Sequence, residues 1–390
     1  MKKITTILAI VLIFLTSTAG FAADMMYDDE LDFENFIEKG TVLEADDPQE
    51  REDQYFKSQY VTMRIDSGPH KGDIVYIENA LSDHQYYDII VKKGMKVSVM
   101  IEQYDDGSYQ AYVADYYRVS SLTYLLVAFI ILVLIIARFK GLKALISLGI
   151  TIAAVLFIML PLMLKGWNPI TVSVITAVTV TIITMVLVSG INHKTTSAIL
   201  GTSFGVIIAG LIAFYVGNNA NLSGLTAEEA TMLMFIPQGI EFNFRQLLFA
   251  GIIMGSLGAA MDVGISIASS IEEIHKANPR LSSTRLFRAG MNVGKDVMGT
   301  MVNTLILAYT GTSIPMLLLF MAYETELAKV FNLDIIATEV VRSLAGSIGL
   351  ILTIPITAFF ASRYTKRQKD RARNVLSLDG EGAQVEEVTE

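Results

Sequence analysis

The sequence predicts an all-α, polytopic membrane bundle of about seven transmembrane helices, preceded by a small all-β domain. Three observations predict it. The chain is 52% hydrophobic with a mean hydropathy of +0.49, more apolar than soluble globular proteins average. The apolar residues are gathered into blocks of the roughly 20 residues that cross a bilayer. Between 41 and 118 the pattern changes to short alternating runs broken by turn residues, the mark of half-buried strands.

At the N-terminus, Lys2 and Lys3 precede the apolar run ILAIVLIFL, and Gly20-Phe21-Ala22 offers a cleavage site. Residues 1–22 are therefore expected to be a signal peptide. Residues 23–40 read as an acidic arm. Asp28, Asp29, Asp32 and Glu34 are oxygen donors, but their spacing does not match an EF-hand loop. TVLEA, YVTMRI, DIVYIENAL, KVSVMIEQY and YQAYVADYY then read as five strands, with turn chemistry in SGPHKG and DDGS. Five short strands with tight turns predict a small β-barrel of the OB or SH3 type over 41–118. Its main basic residues, Lys71, Lys92, Lys93 and Lys96, sit among acids, so nucleic acid is not an expected partner.

Seven apolar segments follow within 122–362, near 122–138, 142–164, 169–189, 196–216, 246–270, 297–321 and 344–362. With the barrel outside, the inner loops and tail carry 15 Lys and Arg and the outer loops 4. That asymmetry agrees with the signal peptide and places the C-terminus in the cytoplasm. Trp167 reads as an interfacial anchor. In the outer loop 217–245, Thr226 is the expected cap of a short surface helix, and Glu241 is spaced to pair with Arg245. In the inner loop, EEIHKANP reads as a helix stopped at Pro279, with Ser282 or Ser283 capping the next. Arg285, Arg288 and Lys295 follow near the inner lipid surface. The tail, 363–390, is basic and then acidic, and is expected to lack fixed structure after 375.

Within GSLGAAMDVGISIASS, Gly251, Gly255, Gly258, Asp262, Ser266 and Ser269 recur at steps of 4, 3, 4, 4 and 3. They share one helix face. Small residues permit close helix contact in lipid, so this face is expected to pack on protein. A carboxylate there costs a few kcal/mol unless paired, protonated or hydrated. On the next span Asp296, Thr300 and Asn303 form a stripe continued by Leu307. Asn303 lies about 10 Å from Asp296 along the helix, and Asp262 about 12 Å from the inner end of its own span, at 1.5 Å per residue. Asp262, Asn303, Thr300 and Asp296 are thus candidates for one substrate- or ion-binding site. Helix clamping is the competing reading of Asp262. The stretch Gly311–Pro315 is expected to interrupt the sixth span. Ser197, Gly201, Gly205 and Ala209 form a four-step series that reads as helix packing.

There is no cysteine, which excludes disulfides and thiolate chemistry. No GxxxxGK[ST] and no HExxH occurs, and GAAMD is not the GxGD of intramembrane aspartyl proteases. The chain is therefore expected not to be an enzyme and to need no cofactor or metal. The sequences GSLGAAMDVGISIASSIEEI, NP at 278–279 and GMNVGKDVMGTMVNTLILAYTG resemble the YibE/F-like family of bacterial membrane proteins. SGPHKG and YVADYYR in the barrel support the resemblance, which covers roughly 42–365. It implies a signal sequence, an exported β domain and a polytopic core, with no agreed activity. The expected partners are the lipid bilayer, a small ion or solute, and an envelope protein. The function predicted first is a permease or ion-coupled transporter. The alternative is an envelope accessory or assembly protein acting through its exported β domain.

Overall fold

The structure is a computed structural model describing residues 33–50, 57–82, 88–104, 106–236, 242–324 and 326–386; for 33–35, 50 and 365–386 it describes the backbone alone. The expected signal peptide and the first part of the acidic arm lie outside the described residues. The chain divides into two compact units, one ending at Ile136 that holds the strands and the start of the first helix, and one of helices from Ala137 onward.

The β unit contains β1 (Phe33–Ala45), β2 (Gln49–Glu50), β3 (Lys57–Ile65), β4 (Ile74–Leu81), β5 (Lys96–Tyr104) and β6 (Tyr109–Tyr116). All pairs are antiparallel, in the order β4-β3-β1-β5-β6, and the two-residue β2 adds to β3. The five expected strands are present. β1 starts earlier than the expected strand, so the arm's last eight residues, 33–40, belong to the sheet. β1 pairs with β5 through Phe33–Thr41 and with β3 through Gly40–Ala45. β1 gives one edge to each neighbour, and the two pairings overlap only at Gly40–Thr41. A Cβ at Gly40 would stand 2.7 Å from Val99 Cγ2, and a bulge between Val42 and Glu44 adds curvature. The first long strand thus lies between the second and fourth, while the third and fifth face each other across a seam. That is the OB order, not the SH3 order, of a nearly closed barrel.

Inward-facing Val42, Val61, Met63, Ile65, Val97 and Val99 fill the barrel. Val91 joins them because Gln59 holds its segment: the Gln59 amide donates to Val91 O at 2.8 Å and accepts from Val91 N at 3.0 Å. Both are buried, so these bonds replace the water that burial removes.

The first long helix, α1 (Val119–Ala154), continues through a π turn at Val155–Met159 to a short helix ending at Leu164. These 46 residues span about 69 Å at 1.5 Å per residue, over twice the roughly 30 Å of hydrocarbon. Arg138 breaks α1 with φ 48 and ψ −127, between the first two expected spans. The π turn follows from Pro161, which has no N–H for the carbonyl of Phe157.

The remaining long helices are α2 (Pro169–Ser189), α3 (His193–Asn219), α4 (Phe244–Ala277), α5 (Ser283–Thr312), α6 (Ile314–Ala322) and α7 (Asp334–Glu386). Side chains cap four of them: Asn168, Asn192, Asn243 and Ser282 each accept from a backbone N–H three residues on. Ser282 is the expected cap, and α4 stops at Ala277 before Pro279, as the sequence predicts. The short helix Glu228–Met232 also forms, but Ala227 occupies its N-cap and gives no side-chain bond. Beyond Tyr364 the helical backbone of α7 continues to Glu386. The segment after 375, expected to lack fixed structure, therefore continues the helix, with no proline there to stop it. Five helices among the described residues are long and apolar enough to cross a membrane, and the pair α5–α6, bent by 61°, makes a sixth. Counting α1 and its extension as two, on either side of Arg138, recovers the seven expected segments.

α3, α4 and α7 form the centre of the bundle. A Cβ at Gly201 or Gly205 would lie 1.7 Å from Thr357 Oγ1 or 1.9 Å from Thr353 Oγ1, and one at Gly349 would lie 2.6 Å from Gly205 O. The backbones of α3 and α7 meet there, at the four-step series expected to pack. α4 is held by Thr202, whose hydroxyl donates to Ala260 O at 3.1 Å. Gly290 and Gly294 of α5 admit Ile271 and Ile354 in the same way. We expect Gly205→Ala to lower the thermal midpoint of detergent-solubilised protein, by an overpacking cost of about 1–3 kcal/mol. Gly251→Ala, where a Cβ meets nothing within 4 Å, should leave the midpoint unchanged in the same scan.

Candidate functional site

α4 has two unlike faces. Phe249, Ile252, Ile253, Val263, Ile267 and Ile271 are buried, and they bring α4 against α3, α5 and α7. Gly251, Gly255, Gly258, Asp262 and Ser266 are exposed, with Ser269 half-buried. The stripe expected to pack on a neighbouring helix therefore faces away from the core of this chain. The reason is packing: the opposite face offers large aliphatic groups at helical spacing, and these fill the core.

α5 repeats the arrangement. Leu286, Gly290, Gly294 and Leu305 are buried, while Asp296, Thr300, Asn303 and Leu307 are exposed. Met261 and Ile265 flank Asp262, and Met298, Met301 and Val302 lie around Asn303; all five pack against one core cluster. α4 and α5 thus meet through their methionine and aliphatic flanks, leaving each polar stripe open beside the seam. Thr300 donates to its own helix at Val297 O, 3.0 Å. Among the described residues no hydrogen bond or ion pair joins Asp262, Asn303, Thr300 or Asp296 to one another. The four candidates lie on two adjacent helices without forming a closed site.

A second polar cluster lies where sequence reasoning placed an outer loop. α7 begins at Asp334, so Thr338, Glu339 and Arg342 are helical. Arg342 Nη1 lies 2.7 Å from Glu339 Oε1, and its guanidinium is 6.0 Å from the centroid of the Tyr309 ring on α5. Glu339 Oε2 and Thr338 Oγ1 are buried without hydrogen-bond partners among the described residues. A Cβ at Gly255 would stand 2.8 Å from the Tyr309 hydroxyl, so Gly255 has a role in contact: it admits Tyr309 beside α4. Four residues past Tyr309 the chain turns by 61° between α5 and α6. This is the interruption expected at Gly311–Pro315, and it falls at Ser313. The spacing of Glu339 and Arg342, three apart, was the available signal for this cluster.

The expected pairing of Arg245 with Glu241 lies outside the described residues, because Glu241 does. Arg245 donates to Leu222 O at 2.7 Å and to Asn218 Oδ1 at 3.2 Å, closing the end of α3. Among the described residues no group of three or more His, Asp or Glu is placed to hold a metal ion.

An OB-type barrel followed by helices that can cross a bilayer several times defines a multi-pass membrane protein with an N-terminal β domain. A family model described as YibE/F-like protein matches residues 125–367, and one described as YibE/F family N-terminal domain matches residues 37–116. The chain belongs to the YibE/F-like family. No curated protein and no solved structure matches it.

The Glu339–Arg342 pair is partly screened, with side chains 21% and 31% exposed. Removing one partner strands the other, which costs more than removing both. Arg342→Gln is expected to lower stability by about 1–3 kcal/mol, and the double variant Arg342→Gln, Glu339→Gln by less. Thermal unfolding in lipid nanodiscs measures both.

Proposed function

We propose that this chain is a permease or ion-coupled transporter whose polar path follows the open faces of α4 and α5. One observation carries the reading: Asp262, a carboxylate about 12 Å from the inner end of its expected span, faces away from the packed core without a partner among the described residues. Hydrocarbon does not accommodate such a group, so the face must border water, an ion or another polar surface. The stripe of Thr300, Asn303 and Asp296 on the adjacent helix supports a hydrated path. So does the broken span after Tyr309, since interrupted helices free backbone groups for ligands. Asp262 is the proposed proton or cation carrier and Asn303 the neutral ligand beside it. The role is non-enzymatic and needs no bound cofactor. The second reading, an envelope accessory protein working through its β domain, is favoured by a cleft on that domain lined by Tyr76, Tyr109 and Tyr112.

Both readings place the β domain outside the cell membrane and the C-terminus in the cytoplasm, supported by the Lys and Arg asymmetry. The chain has no native cysteine, so single-cysteine labelling reads orientation directly. A membrane-impermeant maleimide should label Lys71→Cys in intact cells and Arg280→Cys only after permeabilisation; the reverse pattern would invert the topology.

For transport, purified protein in vesicles with a trapped pH dye should carry proton flux when a Na⁺, K⁺ or Mg²⁺ gradient is imposed. Asp262→Asn should reduce that flux at least about tenfold while protein yield and labelling pattern stay intact. Undiminished flux in Asp262→Asn rejects the assignment.

A further inference from the structure

The β unit carries a cleft that the transport reading does not use. β4 and β6 pair only with β3 and β5, and between them lies a cleft of about 460 Å³. That is within the roughly 300–1,000 Å³ typical of small-ligand sites. Val75, Ile77, Tyr109 and Ala111 make its floor, because alternate residues of each strand point inward. Tyr76 and Glu78 of β4, and Gln110 and Tyr112 of β6, stand on the outer side.

Its chemistry is amphipathic. Tyr76 is 70% exposed, yet its ring is held flat against Tyr60, with centroids 5.7 Å apart and planes 9° from parallel. A stacked ring has already lost the freedom that binding would otherwise remove. On the opposite strand Tyr112 is fixed by its hydroxyl, which donates to Gln110 Oε1. Below them Tyr109 donates to Asp73 Oδ2 at 3.0 Å. Desolvation first, and then Asp46, Tyr60 and Glu78, push the Tyr76 phenol above its usual range. A phenol is a neutral donor at ordinary pH, and the carboxylates of Asp46 and Glu78 nearby repel polyanions.

We propose that this cleft binds an uncharged oligosaccharide, with a sugar ring laid on Tyr76 and its hydroxyls met by Glu78 and Gln110. A pyranose ring presents a face of C–H groups and a rim of hydroxyls. An aromatic face accepts the first, and planar carboxylate and amide groups pair with the second. Nucleic acid and anionic polymers fit the aromatic surface and fail the charge. The proposal rests on the second of the two readings above.

The test uses the full-length protein in nanodiscs, titrated calorimetrically with chitotetraose, cellotetraose and maltotetraose, and with a heparin tetrasaccharide as the anionic comparison. At least one uncharged glycan should bind saturably and heparin should not. Tyr76→Ala, at an exposed site, should weaken that binding about tenfold or more, while Tyr76→Phe should keep most of it; circular dichroism checks the fold of each. Absence of binding by all three neutral glycans overturns the proposal, as does equal affinity in Tyr76→Ala or competition by heparin. Any of these results leaves the transport reading standing, since that reading is decided by flux through Asp262→Asn.

Discussion

The close crossing of α3 on α7 is the contact on which the helical unit depends. In hydrocarbon no water drives apolar surfaces together, so helices associate through dense packing and through bonds between them. Gly201 and Gly205 present bare backbone to Thr357, Thr353 and Gly349, and a single Cβ at Gly201 or Gly205 would overlap a threonine side chain. α4 then locks on through Thr202 and Ala260, with Gly264 leaving room for the same threonine hydroxyl. Once these three helices are fixed, the large aliphatic side chains of α4 have one place to go. Its small and acidic face is left outside the core as a consequence.

The polar residues of the bundle divide by what their own helix can satisfy. Thr181, Ser197, Ser256 and Thr353 donate back to carbonyls three or four residues earlier. Such hydroxyls cost little in an apolar setting and signal nothing beyond packing. An ionised carboxylate has no donor to offer a helix carbonyl. Asp262 must find its partner elsewhere, whereas Thr300, with a bond to Val297 O, need not. The same test separates Asp262 from Thr300 as a candidate, although each lies on a polar stripe in sequence.

Much of the architecture was legible because its causes are local. Alternation marks each strand where one side faces the barrel core, and apolar length marks each span. The order of the strands was not legible, because it depends on long-range pairing, β1 with both β3 and β5. The start of β1 was missed because FENFIEKG carries acids that read as solvated arm. Nor could spacing tell one small-residue stripe from another. Ser197, Gly201, Gly205 and Ala209 are buried, while Gly251 and Gly258 lie open and Gly255 meets only the Tyr309 hydroxyl, at nearly the same intervals. The difference is the company each keeps: α7 offers threonines and a glycine opposite the first, and the second shares its face with a carboxylate. The Tyr309–Arg342 cluster was missed because charges near a span end read as loop, although a helix beginning at Asp334 carries them inward.

The two readings can be tested separately because each unit has its own core. The barrel is filled by Val42, Val61, Val99 and their neighbours, the bundle by Val263, Ile267, Leu350 and theirs. A surface change at Tyr76 does not touch the packing that holds Asp262 in place, and Asp262 makes no bond that the barrel could need. Loss of function at one position with the other intact is therefore informative about chemistry and not merely about folding. The transport reading asks for a carboxylate that can gain and lose a charge within the bilayer. The glycan reading asks only for an aromatic face held rigid in water. Those demands differ in solvent, in ion dependence and in the residue that answers them, so neither can be mistaken for the other.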